Sequence, residues 1–300
     1  MKLRLRDVLV PYPLFTLKGR LKLSGLSDKA ISKVLEESVV KEMDTEEALL
    51  SYVRESLKTY DPSILSCFDS LTRYETIRGD KPDTPALMIA LEGASATGKS
   101  LIALELMHNL AATRFISTDT MRQVLRSILR EEEHPELFCH TYQAHRFRTI
   151  GSHDLDPVVR GYLAQCELIS PSIRTTVERV VSEGAITVIE GVHIQPGTLQ
   201  DISPGVIEVL INPDRETHRA MFASKHNIGK LQTVSEDIAV RHREFKATCV
   251  IQEYLIHEAE RAEVPIVPMV GYDDALREIS SLIISRVEAL LSSHEDGGVK

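Results

Sequence analysis

An eight-residue run, Gly93-Ala-Ser-Ala-Thr-Gly-Lys-Ser100, matches the phosphate-binding loop pattern G-x-x-x-x-G-K-[ST]. Glycine at positions 93 and 98 lets the backbone curl until its N–H groups point inward at phosphate oxygens. Lys99 is then expected to reach the β- and γ-phosphates, and the Ser100 hydroxyl to bind Mg²⁺. The candidate site for a nucleoside triphosphate is therefore the whole loop, Gly93, Ala94, Ser95, Ala96, Thr97, Gly98, Lys99 and Ser100.

The residues on either side of this loop have the pattern that the motif requires. Before it lies Ala86-Leu-Met-Ile-Ala-Leu91, a short apolar run typical of a buried parallel strand. After it, residues 101–112 are rich in helix formers and place four apolar residues on one face, Leu101, Leu104, Met107 and Ala111. Strand, loop and helix thus follow in order, which puts the phosphates at a helix N-terminus. The alternative is a glycine-containing turn that matches by chance.

Beyond the loop, apolar runs alternate with helical patterns, as they do in a parallel sheet with crossover helices. The predicted strands are Ala86–Glu92, Arg114–Thr118, Ala185–Glu190, Val206–Ile211 and Pro265–Val270. Together they predict an α/β fold with a small, doubly wound, kinase-like sheet. Because ligands bind at the carboxyl ends of the strands in such a sheet, the polar residues there are the candidates for chemistry.

Asp119-Thr-Met-Arg122 follows the second predicted strand and brings a carboxylate and a guanidinium together within one helical turn. A carboxylate opposite the γ-phosphate can orient or deprotonate an attacking hydroxyl, which is the role expected of Asp119. Arg122 is expected to bind an anionic substrate through two parallel hydrogen bonds. The alternative is a helix N-cap aspartate beside a surface arginine.

Two further polar residues follow the third predicted strand. Glu190 ends the apolar run at residues 186–189, a place where a carboxylate usually serves Mg²⁺ or its water shell. Capping or ion pairing is the alternative for Glu190. His193 either contacts a substrate phosphate or is a hydrogen-bonded structural residue.

A lid-like stretch lies between the fourth and fifth predicted strands. Arg215 and Arg219 are four residues apart, so on a helix they share one face and both can reach the charge of a transferring phosphate. Arg241 and Arg243 are two residues apart and point to nearly opposite sides, so at most one of them is expected to join. Gly229 is the predicted hinge between two lid helices. Ordinary surface arginines are the alternative for one or two of these four.

The chain changes character near residues 60–85. The earlier part has a basic opening and two predicted helices, Ser27–Glu37 and Asp44–Leu57, each preceded or opened by a capping residue. Turn residues at 78–85 then precede the strand of the phosphate loop. We therefore predict a small first domain with its linker at residues 1–75 and a second domain at residues 76–300.

Composition and charge restrict the classes of partner. Of the 300 residues, 43% are hydrophobic and 26% are charged, which is ordinary for a globular enzyme. The net charge of −9 argues against nucleic acid as the main partner, because phosphate backbones bind broad basic surfaces. There is no apolar run of about 18 residues and no signal-peptide pattern, so no membrane partner and a cytoplasmic location are expected. The four cysteines lack metal-ligand spacing and are predicted to be reduced thiols; a homo-oligomer is compatible with the sequence.

Several short segments also carry the residues of one known family. They are Ile116-Ser-Thr-Asp119 with Arg122, Gly161-Tyr-Leu-Ala-Gln-Cys-Glu167, Ser182-Glu-Gly184 and Ile189-Glu-Gly-Val-His-Ile-Gln-Pro-Gly197. In these segments the chain resembles the archaeal 2-phosphoglycerate kinases, and the Glu-Gly-Val-His-x-x-Pro-Gly element is far more specific than the phosphate loop. The opening of the chain, residues 13–20 and 26–31, is similar to the ATP-cone segment that precedes the kinase domain in that family.

The resemblance implies a P-loop kinase with a five-stranded parallel sheet and a helical lid, preceded by a small, mainly helical, ATP-cone-like domain. It also implies ATP-dependent phosphorylation of the 3-hydroxyl of 2-phosphoglycerate to give 2,3-bisphosphoglycerate. The cofactors would then be ATP and Mg²⁺, and the partner a small anionic metabolite. An acidic metabolite suits the predicted site better than a nucleoside, because the site offers arginines and few aromatic rings.

The combined interpretation gives each candidate residue a role. Phosphoryl charge is stabilised by Lys99, Arg215 and Arg219, and Asp119 orients the acceptor hydroxyl. Mg²⁺ is held by Ser100 and Glu190. The predicted acceptor-binding residues are Asp119, Arg122, Tyr142, His193, Arg241 and Arg243. Two alternatives stay open, which are a kinase for another small hydroxylated acid or polyol and a non-catalytic ATP-sensing regulator.

Overall fold

The computed structural model of the chain describes residues 2–5, 8–40, 43–229 and 237–296. It divides into two compact units. The first unit comprises residues 1–85, 105–113 and 277–300, and the second comprises residues 86–104 and 114–276. The division into domains at residue 75 stays a prediction.

The first unit contains a short antiparallel hairpin followed by helices. The elements are β1 (Lys2–Leu5), β2 (Val8–Pro11), α1 (Leu14–Leu23), α2 (Asp28–Val40), α3 (Glu46–Leu57) and α4 (Pro62–Asp80). The two helices predicted for this part are α2 and α3. Thr45 caps α3 because its Oγ1 accepts a hydrogen bond from the Ala48 N–H at 3.2 Å. Apolar side chains from the hairpin and all four helices form one core, which includes Leu3, Leu17, Ile31, Leu49 and Phe68.

The second unit contains the parallel sheet. Its elements in chain order are β3 (Met88–Glu92), α5 (Lys99–Asn109), β4 (Arg114–Ser117), α6 (Thr118–Arg126), two 3-10 helices (Pro135–Phe138 and Thr141–Arg146), α7 (Pro157–Ser182), β5 (Thr187–Glu190), β6 (Val206–Asn212), α8 (Arg215–Gly229), α9 (Ile238–Arg261), β7 (Ile266–Pro268) and α10 (Tyr272–Asp296). Helices α5 and α10 supply residues to both units.

The five strands of the second unit form one parallel sheet in the order β4-β5-β3-β6-β7. The central strand β3 pairs on both sides, with Ala90 opposite Ile189 in β5 and Glu208 in β6. This confirms the predicted α/β fold with five parallel strands. The last strand, Ile266–Pro268, is shorter than the predicted Pro265–Val270, although the Met269 N–H still donates to the Asn212 carbonyl of β6 at 3.0 Å.

The buried face of α5 differs from the predicted one. The helix begins at Lys99, inside the loop motif, and its fully buried residues include Ile102 and Leu106. Leu101 and Leu104 are instead 55% and 44% exposed. Both stripes are apolar in the sequence, so the helical period could not distinguish them.

Two further observations concern the cysteines and the possibility of a membrane span. All four cysteines are free thiols, as expected. Of the helices within the described ranges, none combines the length and the apolar character needed to cross a bilayer.

The two 3-10 helices of the second unit are fixed against α7. Gly161 of α7 lies so close to His145 that a Cβ at position 161 would overlap the His145 backbone. One turn later, the Gln165 side-chain amide donates hydrogen bonds to the carbonyl oxygens of Glu136 and Cys139. The segment at residues 135–146 is therefore held beside the strand ends by backbone contact and by side-chain hydrogen bonds.

We expect Gly161→Ala to destabilise the protein by about 1–3 kcal/mol, because the added methyl group must displace backbone rather than a flexible side chain. The measurement is thermal unfolding followed by circular dichroism. Gly271→Ala is the matched control in the same unit, since the nearest atom to its new Cβ is Asp274 Oδ2 at 3.5 Å. Equal stability of the two variants would contradict the close approach.

Candidate active site

The phosphate loop connects β3 to α5 and has an unusual backbone. Gly93 and Gly98 have φ angles of 141° and 93°, in the region that favours glycine. A Cβ at Gly93 would lie 2.8 Å from Thr97 Oγ1. Ala96 also has a positive φ, 64°, despite its side chain. Strain of this kind persists only where the surrounding structure holds it, and it is found most often at functional sites.

Bonds inside the loop maintain this conformation. The Ala94 carbonyl accepts hydrogen bonds from Lys99 Nζ at 3.1 Å and from Thr97 Oγ1 at 3.2 Å. Lys99 is only 8% exposed, so its ammonium group lies within the curl of the loop. The loop therefore places the cation where phosphate oxygens would bind.

Two side chains outside the loop also hold it, and the sequence did not reveal either one. Gln252 of α9 accepts a hydrogen bond from the Ala94 N–H at 2.8 Å and donates to the Ile211 carbonyl at 3.1 Å. His218 of α8 donates from Nε2 to the Ser95 carbonyl at 2.8 Å. His218 lies between Arg215 and Arg219, within the segment that suggested a lid, whereas Gln252 belongs to no recognisable motif.

The two residues predicted to bind Mg²⁺ are in contact. Ser100 Oγ donates to Glu190 Oε2 at 3.2 Å, and Glu190 is the last residue of β5, next to Leu91 of β3. A hydroxyl and a carboxylate are hard oxygen donors of the kind that Mg²⁺ prefers. In the described part of the chain, no three His, Cys, Asp or Glu side chains converge as a metal-binding group. Phosphate oxygens and water would supply the other ligands.

Asp119 and Arg122 form an ion pair at the carboxyl end of β4. Arg122 Nη2 lies 3.2 Å from Asp119 Oδ1, and Arg122 Nη1 donates to the Cys139 carbonyl at 2.9 Å. The N-cap of α6 is Ser117, and the Arg122 residue is 8% exposed. The alternative of an N-cap aspartate beside a surface arginine is therefore wrong, because Asp119 is not the N-cap and Arg122 is not on the surface. Asp119 keeps 66% of its side chain exposed, so its carboxylate is accessible.

His193 has both ring nitrogens occupied by protein groups. Nδ1 lies 3.1 Å from Thr118 Oγ1, and Nε2 lies 3.2 Å from Gln165 Oε1. Since the Gln165 oxygen only accepts, Nε2 carries the proton and Nδ1 accepts from the Thr118 hydroxyl. Burial lowers the pKa of His193 to about 3, so the ring is neutral. This corrects the expectation that His193 binds substrate, because neither nitrogen is available to a phosphate.

The charges that act on His193 show which groups surround it. Asp119 raises its pKa, whereas Arg122 and Lys99 lower it, all more weakly than burial does. The phosphate-loop lysine and the Asp119–Arg122 pair therefore lie around the same buried ring. Gly191, two residues before His193, has a φ of 154°, and its Cβ would overlap the Thr118 side chain. The Glu190-Gly-Val-His193 element thus packs directly on the residue before Asp119.

The arginines predicted to stabilise phosphate lie on one face of α8. Asp214 starts this helix, since its Oδ1 accepts from the Glu216 and Thr217 N–H groups at 2.8 and 3.0 Å. The Arg219 guanidinium carbon lies 5.6 Å from the centre of the Phe245 ring of α9. Burial raises the pKa of the Cys249 thiol, and the charges of Arg215 and Arg219 both oppose that shift. Both arginines therefore face the same side of α9.

Only one of the two arginines at the start of α9 faces α8. Arg241 Nη2 donates to the carbonyl oxygens of Phe222 and Ala223 at 3.0 and 2.6 Å. Arg243 instead lines a cavity with Tyr142, His145 and Lys246. Because Arg243 points to the side of α9 opposite Arg241, its assignment beside Arg241 in the acceptor site is wrong, whereas the role of Arg241 stays a prediction. The proposed hinge at Gly229 is the end of α8, and residues 230–236 lie outside the described residues.

Tyr142 is a buried part of the same region. Its ring stacks on His140 at a centroid distance of 5.0 Å and meets the Phe222 ring edge-on at 6.0 Å. Burial raises the pKa of its hydroxyl, and the charges of Arg122 and Arg241 act in the opposite direction. Tyr142 therefore lies between the arginine of α6 and the arginine of α9.

One further acidic residue next to the loop has no counterpart in the sequence predictions. Glu92 is the last residue of β3 and is fully buried, and neither carboxyl oxygen has a hydrogen-bond partner among the described residues. Burial raises its pKa well above the ordinary value, and Glu208 adds to the shift. Burial thus disfavours the charged form of the carboxyl group that directly precedes Gly93.

Comparison with known proteins finds sequence relatives that cover most of the chain. No protein-family model matches it. The 2-phosphoglycerate kinase of Methanopyrus kandleri is 30% identical over 261 residues, which are 86% of this chain and 76% of that protein. The 2-phosphoglycerate kinase of Methanothermobacter thermautotrophicus is 29% identical over 265 residues, which are 85% of this chain and 81% of that protein.

Solved structures give a weaker likeness. A crystal structure of an uncharacterized protein from Eubacterium ventriosum covers 66% of this chain and 98% of its own, at 18% identity and a TM-score of 0.37, which is too low to bear on the fold. The sequence relatives are decisive, since they cover 86% and 85% of this chain at 30% and 29% identity. By the identity and coverage of these relatives, the chain belongs to the archaeal 2-phosphoglycerate kinase family.

Proposed function

We propose that this chain transfers the γ-phosphoryl group of ATP to the 3-hydroxyl of 2-phosphoglycerate, giving ADP and 2,3-bisphosphoglycerate. The observation that carries the proposal is that one parallel sheet holds both the phosphate loop with its buried Lys99 and, at the carboxyl end of β4, the Asp119–Arg122 ion pair. A phosphate-loop cation thereby shares a site with an accessible carboxylate and a buried guanidinium. Membership in the 2-phosphoglycerate kinase family supports the same donor and the same acceptor.

The donor side is built from the loop and from α8. Backbone N–H groups and Lys99 hold the β- and γ-phosphates, and Arg215 and Arg219 stabilise the charge on the transferring group. Ser100 and Glu190 hold Mg²⁺, which neutralises charge on the phosphate oxygens when it is bound. Because Ser100 is bonded to Glu190, the two ligands are already adjacent before the metal binds.

The acceptor side is built from α6 and the segment at residues 135–146. Asp119 accepts the proton of the 3-hydroxyl while that oxygen bonds to the γ-phosphorus and the bond to ADP breaks. Arg122 binds an acid group of the acceptor, and Tyr142 and Arg241 flank it. The hydrogen bond from Arg122 to the Cys139 carbonyl fixes the guanidinium in place at 2.9 Å.

The first test follows ADP release with Mg-ATP and separate samples of 2-phosphoglycerate, 3-phosphoglycerate and glycerate. We expect release to depend on 2-phosphoglycerate, and Lys99→Ala to abolish it because the phosphates lose their cation. Turnover with a different acid only would overturn the substrate but keep the kinase. ATP binding without turnover of any acceptor would instead favour the ATP-sensing regulator.

We expect Arg122→Ala to raise the KM for the acceptor by about tenfold or more while leaving the KM for ATP nearly unchanged. The matched control is Arg126→Ala, one turn later on α6. Arg126 donates to the Leu137 and Cys139 carbonyls at 2.7 and 3.3 Å and so supports the same segment without pairing with Asp119. Steady-state kinetics with each substrate varied in turn measure both constants. Equal effects of Arg122→Ala on the two KM values would contradict an acceptor-binding role.

We expect Glu190→Gln to raise the free Mg²⁺ concentration needed for half-maximal activity by about tenfold or more, since the metal loses a charged ligand. The measurement is the rate as a function of free Mg²⁺ at constant ATP. Glu183→Gln is the control, because Glu183 is an ion-paired residue at the end of α7. A Glu190→Gln enzyme with an unchanged Mg²⁺ requirement would remove Glu190 from the metal site.

A further inference from the structure

A cavity of ≈ 320 Å³ lies between the second 3-10 helix and α9. We call it the basic groove, and define it by Tyr142, His145 and Arg146 on one side and Arg243, Glu244 and Lys246 on the other. Its walls are completed by apolar side chains of α7 and α9. The proposed reaction uses Tyr142 but none of the cations that line the groove.

The basic groove lies on the side of α9 that faces away from the phosphate loop. Phe245, Cys249 and Gln252 are spaced as one helical stripe, and Gln252 bonds to the loop at Ala94. Arg243 lies two residues before Phe245, a rotation of roughly 200° around the helix. The cations of the groove therefore lie on the other side of α9 from the phosphate loop, and Tyr142 borders both the groove and the predicted acceptor site.

The rim of the groove carries unneutralised positive charge. Arg146, Arg243 and Lys246 are exposed. None of their side chains has an ion-pair partner within the described ranges. In a chain with a net charge of −9, such a cluster reverses the local field, which favours a multiply charged small anion.

The floor of the groove offers a hydrogen-bond acceptor. Glu244 is 5% exposed, and its Oε1 accepts from Gln143 Nε2 at 2.7 Å. Its Oε2 is buried without a partner in the described structure. A simple anion would be repelled by this carboxylate, whereas a ligand that also carries a hydroxyl group can donate to Oε2. Together the floor and rim suit an acid that bears a free hydroxyl.

We propose that the basic groove is a second binding site, for a small phosphorylated hydroxy acid. The acid groups bind Arg146, Arg243 and Lys246, and the hydroxyl donates to Glu244 Oε2. The substrate of the proposed reaction belongs to this class, but its product does not, because both hydroxyls of the product are phosphorylated. The choice of 2-phosphoglycerate as a probe rests on the proposed function, whereas the site itself does not.

The test counts ligands bound to the full chain by isothermal titration calorimetry in the presence of Mg-ADP. We expect the wild-type protein to bind two molecules of 2-phosphoglycerate, one in each site, and one molecule of 3-phosphoglycerate, in the groove. Arg243→Ala/Lys246→Ala is expected to lose one molecule of each acid, or to bind it at least about tenfold more weakly. Arg261→Ala, a surface cation in the last turn of the same helix, is the control and keeps the wild-type counts.

The outcomes separate the groove from the proposed function. If 2-phosphoglycerate is not the acceptor, the wild-type protein binds one molecule of it, and the double variant loses that molecule. The proposal is overturned if the double variant retains the wild-type counts and affinities for both acids. It is also overturned if 2,3-bisphosphoglycerate binds the groove as tightly as 3-phosphoglycerate, because the hydroxyl then contributes nothing.

Discussion

The curl of the backbone between Gly93 and Gly98 is the constraint on which the rest of the candidate site depends. Two glycines and Ala96 adopt φ angles that most residues avoid, so the loop needs support from outside. That support comes from His218 on α8 and Gln252 on α9. Helix α8 also carries Arg215 and Arg219, so the helix that supports the loop is the one whose arginines are proposed to stabilise phosphoryl charge.

On the acceptor side, a chain of hydrogen bonds holds the side chains in position. It runs from Thr118 through His193 to Gln165, whose amide bonds to the Cys139 carbonyl that also accepts from Arg122. The chain stays neutral, because burial keeps His193 unprotonated. A charged histidine would repel the arginine and the lysine beside it. A satisfied neutral network fixes their positions without that repulsion.

The sequence predicted those features of the fold and the site that a short, local pattern specifies. The phosphate loop, the five strands and the Ser100–Glu190 pair followed from short patterns, because each pattern specifies its own backbone or the end of a strand. His218 and Gln252 could not be predicted in this way, since their partners are more than 120 residues away in sequence. The buried face of α5 was predicted wrongly for a related reason. The helix has two apolar stripes, and only tertiary packing determines that Ile102 is buried and Leu101 is exposed.

The positions of the acceptor residues also depend on tertiary packing and could not be predicted from local patterns. The segment at residues 135–146 consists of 3-10 turns without a hydrophobic period, so its place beside α6 depends on Gly161 and Gln165 of α7. Arg243 was misplaced because its sequence neighbour Arg241 does face α8, and a rotation of roughly 200° separates the two. Side-chain chemistry suggested what each residue could bind, but the direction of each side chain required the packed helix.

Tyr142 is a side chain that borders both faces of α9. Tyr142 lines the basic groove, yet its hydroxyl senses Arg122 and Arg241 on the catalytic side and Glu244 on the groove side. Its ring also packs against Phe222 of α8, at 6.0 Å between centroids. Glu244, Arg122 and Arg241 thus all act on one buried aromatic side chain, and that side chain also contacts the helix that carries Arg215 and Arg219.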